Sequence, residues 1–148
     1  MSYSYINSDY TFKSLPEIIF SSNFDITHAL TFGTAYTTKN LKISTGLNWH
    51  SGKPTTNPIV GNEIVNDVIN FGATNTEQLK EYLRVDISAI YNFKLSNTTK
   101  ANLGVSIWNL LDTKNEINNF YRINNDVVKE TIQGSLGLTP NIVFRVYF

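Results

Sequence analysis

The feature that most constrains this chain is a two-residue alternation of apolar and polar side chains that returns in six segments. At the C-terminal end, TPNIVFRVYF puts Ile142, Phe144, Val146 and Phe148 on one parity and Asn141, Val143, Arg145 and Tyr147 on the other. Leu136 and Leu138 extend the first set, so this strand is expected to reach back to about residue 131. Successive side chains of a β-strand point to opposite faces, so the pattern predicts strands with one greasy face. The same reading gives strands over 24–37, 41–50, 82–95 and 101–111, and a short one over 1–6. In 82–95, Leu83, Val85, Ile87, Tyr91, Phe93 and Leu95 oppose Arg84, Asp86, Ser88, Asn92 and Lys94. No helix is predicted. The fold class is all-β, an antiparallel up-and-down meander of about six strands.

The connections are sorted by length. Residues 38–40 and 96–100 are short and polar, whereas 7–22, 51–81 and 112–130 are long, and the two kinds alternate. Transmembrane barrels sort their connections this way, with short periplasmic turns and long outer loops. Aromatic side chains fall near the strand ends: Tyr36, Tyr91, Phe93 and Phe148 near the short turns, Phe24, Trp49, Tyr82 and Trp108 near the long loops. Rings at both ends of an apolar band suit the two headgroup levels of a bilayer, although aromatics also favour strands in general. Of these, Trp49, Tyr82, Phe93, Trp108 and Phe148 are the candidate girdle residues.

Composition agrees with that class and narrows the partners. Lys and Arg balance Asp and Glu at 12 each, which gives no reason to expect nucleic acid. Charged residues are only 16%, against about 25% in ordinary soluble domains. Cysteine is absent. No apolar run is long enough for a membrane helix, and MSYSYINSDY is not a signal peptide. A closed barrel needs neither a long apolar run nor a helix, because its strands satisfy one another's backbone groups in lipid. Closure takes about eight strands at least. The chain is therefore expected to be a piece of a larger barrel, an oligomer, or not a membrane protein.

Five motifs bear on this choice. SNFDITHAL holds Asp25-x-x-His28, and LNWHSGKPTT holds Ser51-Gly52-x-Pro54-x-Thr56. EYLRVDISAIYNF holds Tyr82-x-Arg84-x-Asp86-hydrophobic-Ser88. GVSIWNLLDTKN holds Asn109-Leu-hydrophobic-x-x-x-Asn115, and SLGLTPNIVFRVYF ends on Phe148. In this order they resemble the C-terminal end of a TonB-dependent outer-membrane receptor. The resemblance implies a barrel of about 22 strands filled by a plug, of which this chain would supply the last strands. It implies energised uptake of a scarce nutrient of the siderophore, glycan, peptide or cobalamin class at the outer membrane, with the chain a fragment not active alone. Its partners would be outer-membrane lipid, the plug and remaining strands, the TonB complex, and the assembly machinery. That machinery would read Phe144, Val146 and Phe148 as a terminal signal.

On the polar parity, Arg84, Asp86 and Arg145 are the candidates for facing a lumen and touching a plug or a passing substrate. An equally simple account makes them lumen charges neutralised by neighbouring strands. No catalytic site, metal site or cofactor is expected: His28 and His50 are the only histidines and share no ligand spacing. Two other classes fit the alternation. One is a soluble β-sandwich or lipocalin-like binding module, the other a small oligomeric outer-membrane pore.

Overall fold

The computed structural model describes residues 1–12 and 18–148. Its strands are β1 (Ser2–Tyr5), β2 (Asp9–Phe12), β3 (Ile18–Ser21), β4 (His28–Thr37), β5 (Leu41–His50), β6 (Pro54–Thr55) and β7 (Ile64–Val65). They continue with β8 (Val68–Ile69), β9 (Glu77–Gln78), β10 (Tyr82–Lys94), β11 (Lys100–Trp108), β12 (Glu116–Asn124), β13 (Val127–Gly134) and β14 (Thr139–Tyr147). Among the described residues there is no helix.

Six strands form one antiparallel sheet in the order β1-β4-β5-β10-β11-β14, each paired with its predecessor in the series. This is the expected meander. It is an open sheet with β1 and β14 at its edges, and the described residues do not close it into a barrel.

The register explains why the sheet has two unlike faces. Directly opposed residues share a face. Leu30 opposes Trp49, which opposes Leu83, and Phe32 opposes Leu47, which opposes Val85. Nearer the short turns, Tyr91 opposes Leu103, which opposes Phe144. Each row stays apolar from strand to strand because no register shift interrupts the pairing. The opposite rows are polar or small: Thr31, Asn48 and Arg84; Gly33, Gly46 and Asp86; Ala35, Ser44, Ser88, Ser106 and Asn141.

Nothing among the described residues covers the apolar face. Phe32, Tyr36, Tyr91, Val105, Ile142 and Phe144 are all exposed. Among the described residues, the buried hydrophobic side chains are Leu79 and Ala101, with Pro54. The sheet is held by its ladder and by cross-strand pairs, not by a hydrophobic core of its own.

The long connections are more ordered than expected. They fold into hairpins β2–β3, β7–β8 and β12–β13, with β6 pairing β9. Two of these hairpins turn on Asn-Asp. Asn66 and Asp67 have φ of 51° and 61°, Asn125 and Asp126 have φ of 50° and 59°. Two successive left-handed residues make the tight turn whose twist matches paired strands, and Asn and Asp tolerate that region best after glycine. The expected loop 7–22 lies partly outside the described residues.

The last strand is shorter than expected. Residues 131–134 belong to β13, and β14 begins only at Thr139. Between them the backbone is diverted: Ser135 N–H donates to Asn115 O and Leu138 N–H to Asp112 Oδ1. Parity persists across the break, which is why alternation alone does not reveal it. Pro140 opposes Ile107 in unbroken register on an edge strand, where a missing N–H is tolerated.

Gly52 anchors the start of the long 51–81 excursion. A Cβ there would sit 1.8 Å from Leu79 O. Gly52→Ala is therefore expected to force β6 and β9 apart, at a cost of about 1–3 kcal/mol for overpacking. Limited proteolysis should show faster cleavage within 51–81 and unchanged cleavage at the short turns.

Candidate functional site

The polar face gathers its chemistry at the long-loop end of the sheet. Arg84 and Asp86 lie two residues apart on β10, so both side chains emerge on this face. Arg84 Nε donates to Asp86 Oδ2 at 3.0 Å, and its Nη1 donates to the Tyr82 hydroxyl at 3.3 Å. The guanidinium carbon lies 3.6 Å from the centroid of the Trp108 ring, a cation–π stack. His50 stacks on Tyr82 with centroids 4.8 Å apart and planes at 7°. One planar cation is thus held by a carboxylate, a phenol and an indole.

This arrangement moves two of the expected girdle residues. Trp49 and Phe93 sit on the apolar face as expected, and Phe148 shares its parity. Tyr82 and Trp108 do not. Tyr82 directly opposes His50, and Trp108 opposes Thr139, one residue past apolar Ile107. Both therefore share the face of Arg84. Arg145 is on the polar face too, but in the row of Asn92 and Asn102 nearer the short turns, away from the Arg84 cluster. Phe144 and Val146 face the apolar side opposite Leu103 and Ala101.

The strand exits around the cluster are stapled by side chains the sequence pattern did not single out. Among the described residues Asn109 and Asn115 are the most buried side chains, at 0% and 1% exposure. Asn109 takes φ of 53°, which ends β11. Its N–H donates to Asp86 Oδ1, and its amide donates to the carbonyls of Thr113 and Leu136. Asn115 grips the backbone of Leu83 at both ends, accepting from its N–H at 2.8 Å and donating to its carbonyl at 2.9 Å. Asp86 therefore has two tasks: one oxygen holds Arg84, the other holds the turn after β11.

The remaining motif residues act in the same way. Asp25 is buried and accepts from Ser8 N–H. Ser51 accepts from His28 N–H through its hydroxyl and donates its own N–H to His28 O. The Thr56 hydroxyl accepts from Asn75 N–H. His28 also lies 2.8 Å from the Tyr3 hydroxyl, on the apolar face. Among the described residues no group of three or more His, Asp or Glu could hold a metal ion.

Above the sheet, the β12–β13 hairpin is tied to the 51–81 excursion. Thr55 donates to Asn119 Oδ1 at 2.6 Å, and the Tyr121 hydroxyl lies 2.8 Å from Asn57 Oδ1 and 3.1 Å from Glu130 Oε1. Burial, with Glu130 beside it, pushes the Tyr121 hydroxyl up to about 12, so it stays a neutral donor. Lys80 pairs with Glu116 at 2.8 Å, which raises the lysine above its usual range. At the foot of the excursion Asp112 is held below the usual carboxylate range by Lys114 and by Leu138 N–H. A cleft of about 350 Å³ opens between these segments, lined by Asn and Thr amides and hydroxyls with Phe71, Phe120 and Tyr121.

Compared with protein-family models, with curated proteins and with solved structures, the chain has no significant match.

Asn115→Ala would leave two backbone groups of Leu83 without partners, at about 1–3 kcal/mol for each one left buried. Hydrogen exchange at the Leu83 amide should accelerate by at least roughly tenfold. Exchange at Leu103, far along the sheet, should be unchanged.

Proposed function

We propose that this chain is the C-terminal part of a TonB-dependent outer-membrane receptor, and that its sheet is a sector of a transmembrane barrel of about 22 strands. The observation that supports the reading best is the uncovered apolar face, continuous over six strands in unbroken register and backed by a face of Ser, Thr, Asn, Gly and charge. Lipid would cover the first face, and a plug with water would meet the second. Short turns gather at one end of the sheet and the stapled excursions at the other, as periplasmic turns and outer loops would. The five motifs add to this, since most of their polar residues serve at the outer strand exits. Unpaired edges at β1 and β14 would be filled by the strands of the complete barrel.

In this reading the job is energised uptake of a scarce nutrient, and the chain does not transport alone. Arg84, braced by Asp86, Tyr82 and Trp108, is the lumenal group positioned to meet a plug or a passing substrate. The partition of the chain between water and detergent tests the membrane assignment. Expressed without a leader, the chain should aggregate and dissolve only when detergent is added. A monodisperse chain in detergent-free supernatant would favour a soluble sandwich. A detergent-resistant oligomer that conducts ions in planar bilayers would favour a small pore.

Arg84→Ala in the full receptor should lower uptake while barrel yield in the outer membrane stays the same. Unchanged uptake would reduce Arg84 to a structural charge.

A further inference from the structure

The net charge of zero conceals an imbalance on the polar face. The register sets Lys42 opposite Ile90, Lys94 opposite Lys100, Lys100 opposite Tyr147 and Arg145 opposite Asn102. All four cations therefore stand on the face of Arg84, in its half nearest the short turns. Among the described residues no Asp or Glu side chain lies in that half, since residues 31–47, 87–107 and 139–148 contain none. The four are exposed, and none forms an ion pair among the described residues. The long-loop end is arranged differently: Lys80, Arg84 and Lys114 each have a carboxylate of their own.

Taken alone, this patch weakens the sheet. Like charges directly opposed across two strands are destabilising, and Lys94 and Lys100 are opposed with no carboxylate to relieve them. The width of the patch selects the anion that would. Lys42 on β5 and Arg145 on β14 are three strand spacings apart, roughly 14 Å. Lys94 lies four residues along β10 from the partner of Lys42, roughly 13 Å. One phosphate cannot touch all four cations. An extended chain bearing several carboxylates can, at about 3.3 Å per residue. Between the cations lie groups that such a chain can use. Asn92 and Asn102, directly opposed, offer amides to its backbone. A hollow of about 170 Å³ over Gly104 has Ser88, Asn102, Ser106, Asn141 and Arg145 in its wall.

We propose that Lys42, Lys94, Lys100 and Arg145 dock an acidic polypeptide segment, laid across β5, β10, β11 and β14 on the polar face at the short-turn end. Charge complementarity commits the surface to carboxylates spread along a chain. That the segment belongs to the plug rests on the membrane reading above, which turns this face to the lumen. The Arg84 cluster does not compete for it, because Asp86 already holds that guanidinium.

The test uses the full chain, refolded in a nonionic detergent, and a labelled peptide of four Glu-Gly repeats. The same peptide with Gln in place of Glu is the comparison. At roughly twofold for each exposed ion pair, four pairs are worth roughly 15-fold in affinity. The wild type should favour the acidic peptide by about that factor, and Lys42→Gln/Lys94→Gln/Lys100→Gln/Arg145→Gln should lose the preference. That variant also relieves the Lys94–Lys100 repulsion, so its ladder should be no less stable. Lys42→Arg/Lys94→Arg/Lys100→Arg keeps the charges and should keep the preference. Lys53→Gln/Lys114→Gln/Arg122→Gln/Lys129→Gln, with an equal change in charge elsewhere, should keep it too. Equal preference in both Gln variants would overturn the site. So would displacement of the peptide by inorganic phosphate but not by chloride at equal ionic strength, which would assign the cations to a free anion. A wild type that needs detergent but binds both peptides alike would end this proposal and leave the membrane reading standing. A wild type that is monodisperse without detergent and still favours the acidic peptide would end the membrane reading, and the plug with it, but uphold the acidic-segment site.

Discussion

The unbroken register of the six-stranded ladder is the constraint on which the rest depends. Side chains alternate at every residue, so a one-residue slip between any two strands would exchange their faces. No such slip occurs between β4 and β14. Rows of Leu, Val, Ile and Phe therefore run across the sheet on one side and rows of Ser, Asn and Gly on the other. The same register makes the Arg84 cluster possible, because it brings His50 beside Tyr82 and Trp108 within stacking reach of Arg84. It also forces Lys94 against Lys100. The favourable and unfavourable contacts come from one pairing scheme.

Much of this was legible in the sequence because strand parity needs no knowledge of partners. Leu83, Val85 and Ile87 reveal their face by spacing alone, and Arg84 and Asp86 reveal the other. What parity does not encode is where a strand yields to a turn. Residues 131–138 keep the alternation of β14 although they belong to β13 and a stapled link. The β12–β13 hairpin is hidden from parity for a related reason. Its rows mix polar and apolar residues, with Asn119 opposite Ile132 and Tyr121 opposite Glu130, and its turn is marked only by Asn125-Asp126, a left-handed pair rather than the familiar glycine. Tyr82 and Trp108 sit at strand ends, where an aromatic ring suits a girdle, but their parity sets them on the face of Arg84.

The motif residues have a physical role that their spacing only hinted at. A strand leaving a sheet exposes backbone groups that no longer have a ladder partner, and burying them unpaired is costly. Asp25, Ser51, Asn109 and Asn115 each supply the missing partner at a different exit. Asparagine suits this work because one amide both donates and accepts, as Asn115 does to the two sides of Leu83. The excursions above then start from fixed points, and the ties through Asn119, Tyr121 and Glu116 join them to one another. The cleft between them is bounded by anchored segments.

The polar face shows a further economy of side chains. Gly33 and Gly46 oppose each other in the middle of the sheet, where glycine costs about 0.5–1 kcal/mol relative to alanine. Neither is required by sterics: a Cβ would meet nothing nearer than 3.8 Å at Gly33 and 3.9 Å at Gly46. Neither has the positive φ that would demand glycine. The sheet bears a local cost to keep its centre low, beside Asp86 and below the Arg84 stack. A face cleared in this way gains nothing from water alone, since serine or threonine there would be as well solvated and would strengthen the strands. It gains if another body must lie close to it. That is the demand a plug inside a barrel would make of its wall. In the proposed reading the same sheet would meet two surroundings at once, lipid against its apolar rows and a plug against its glycines.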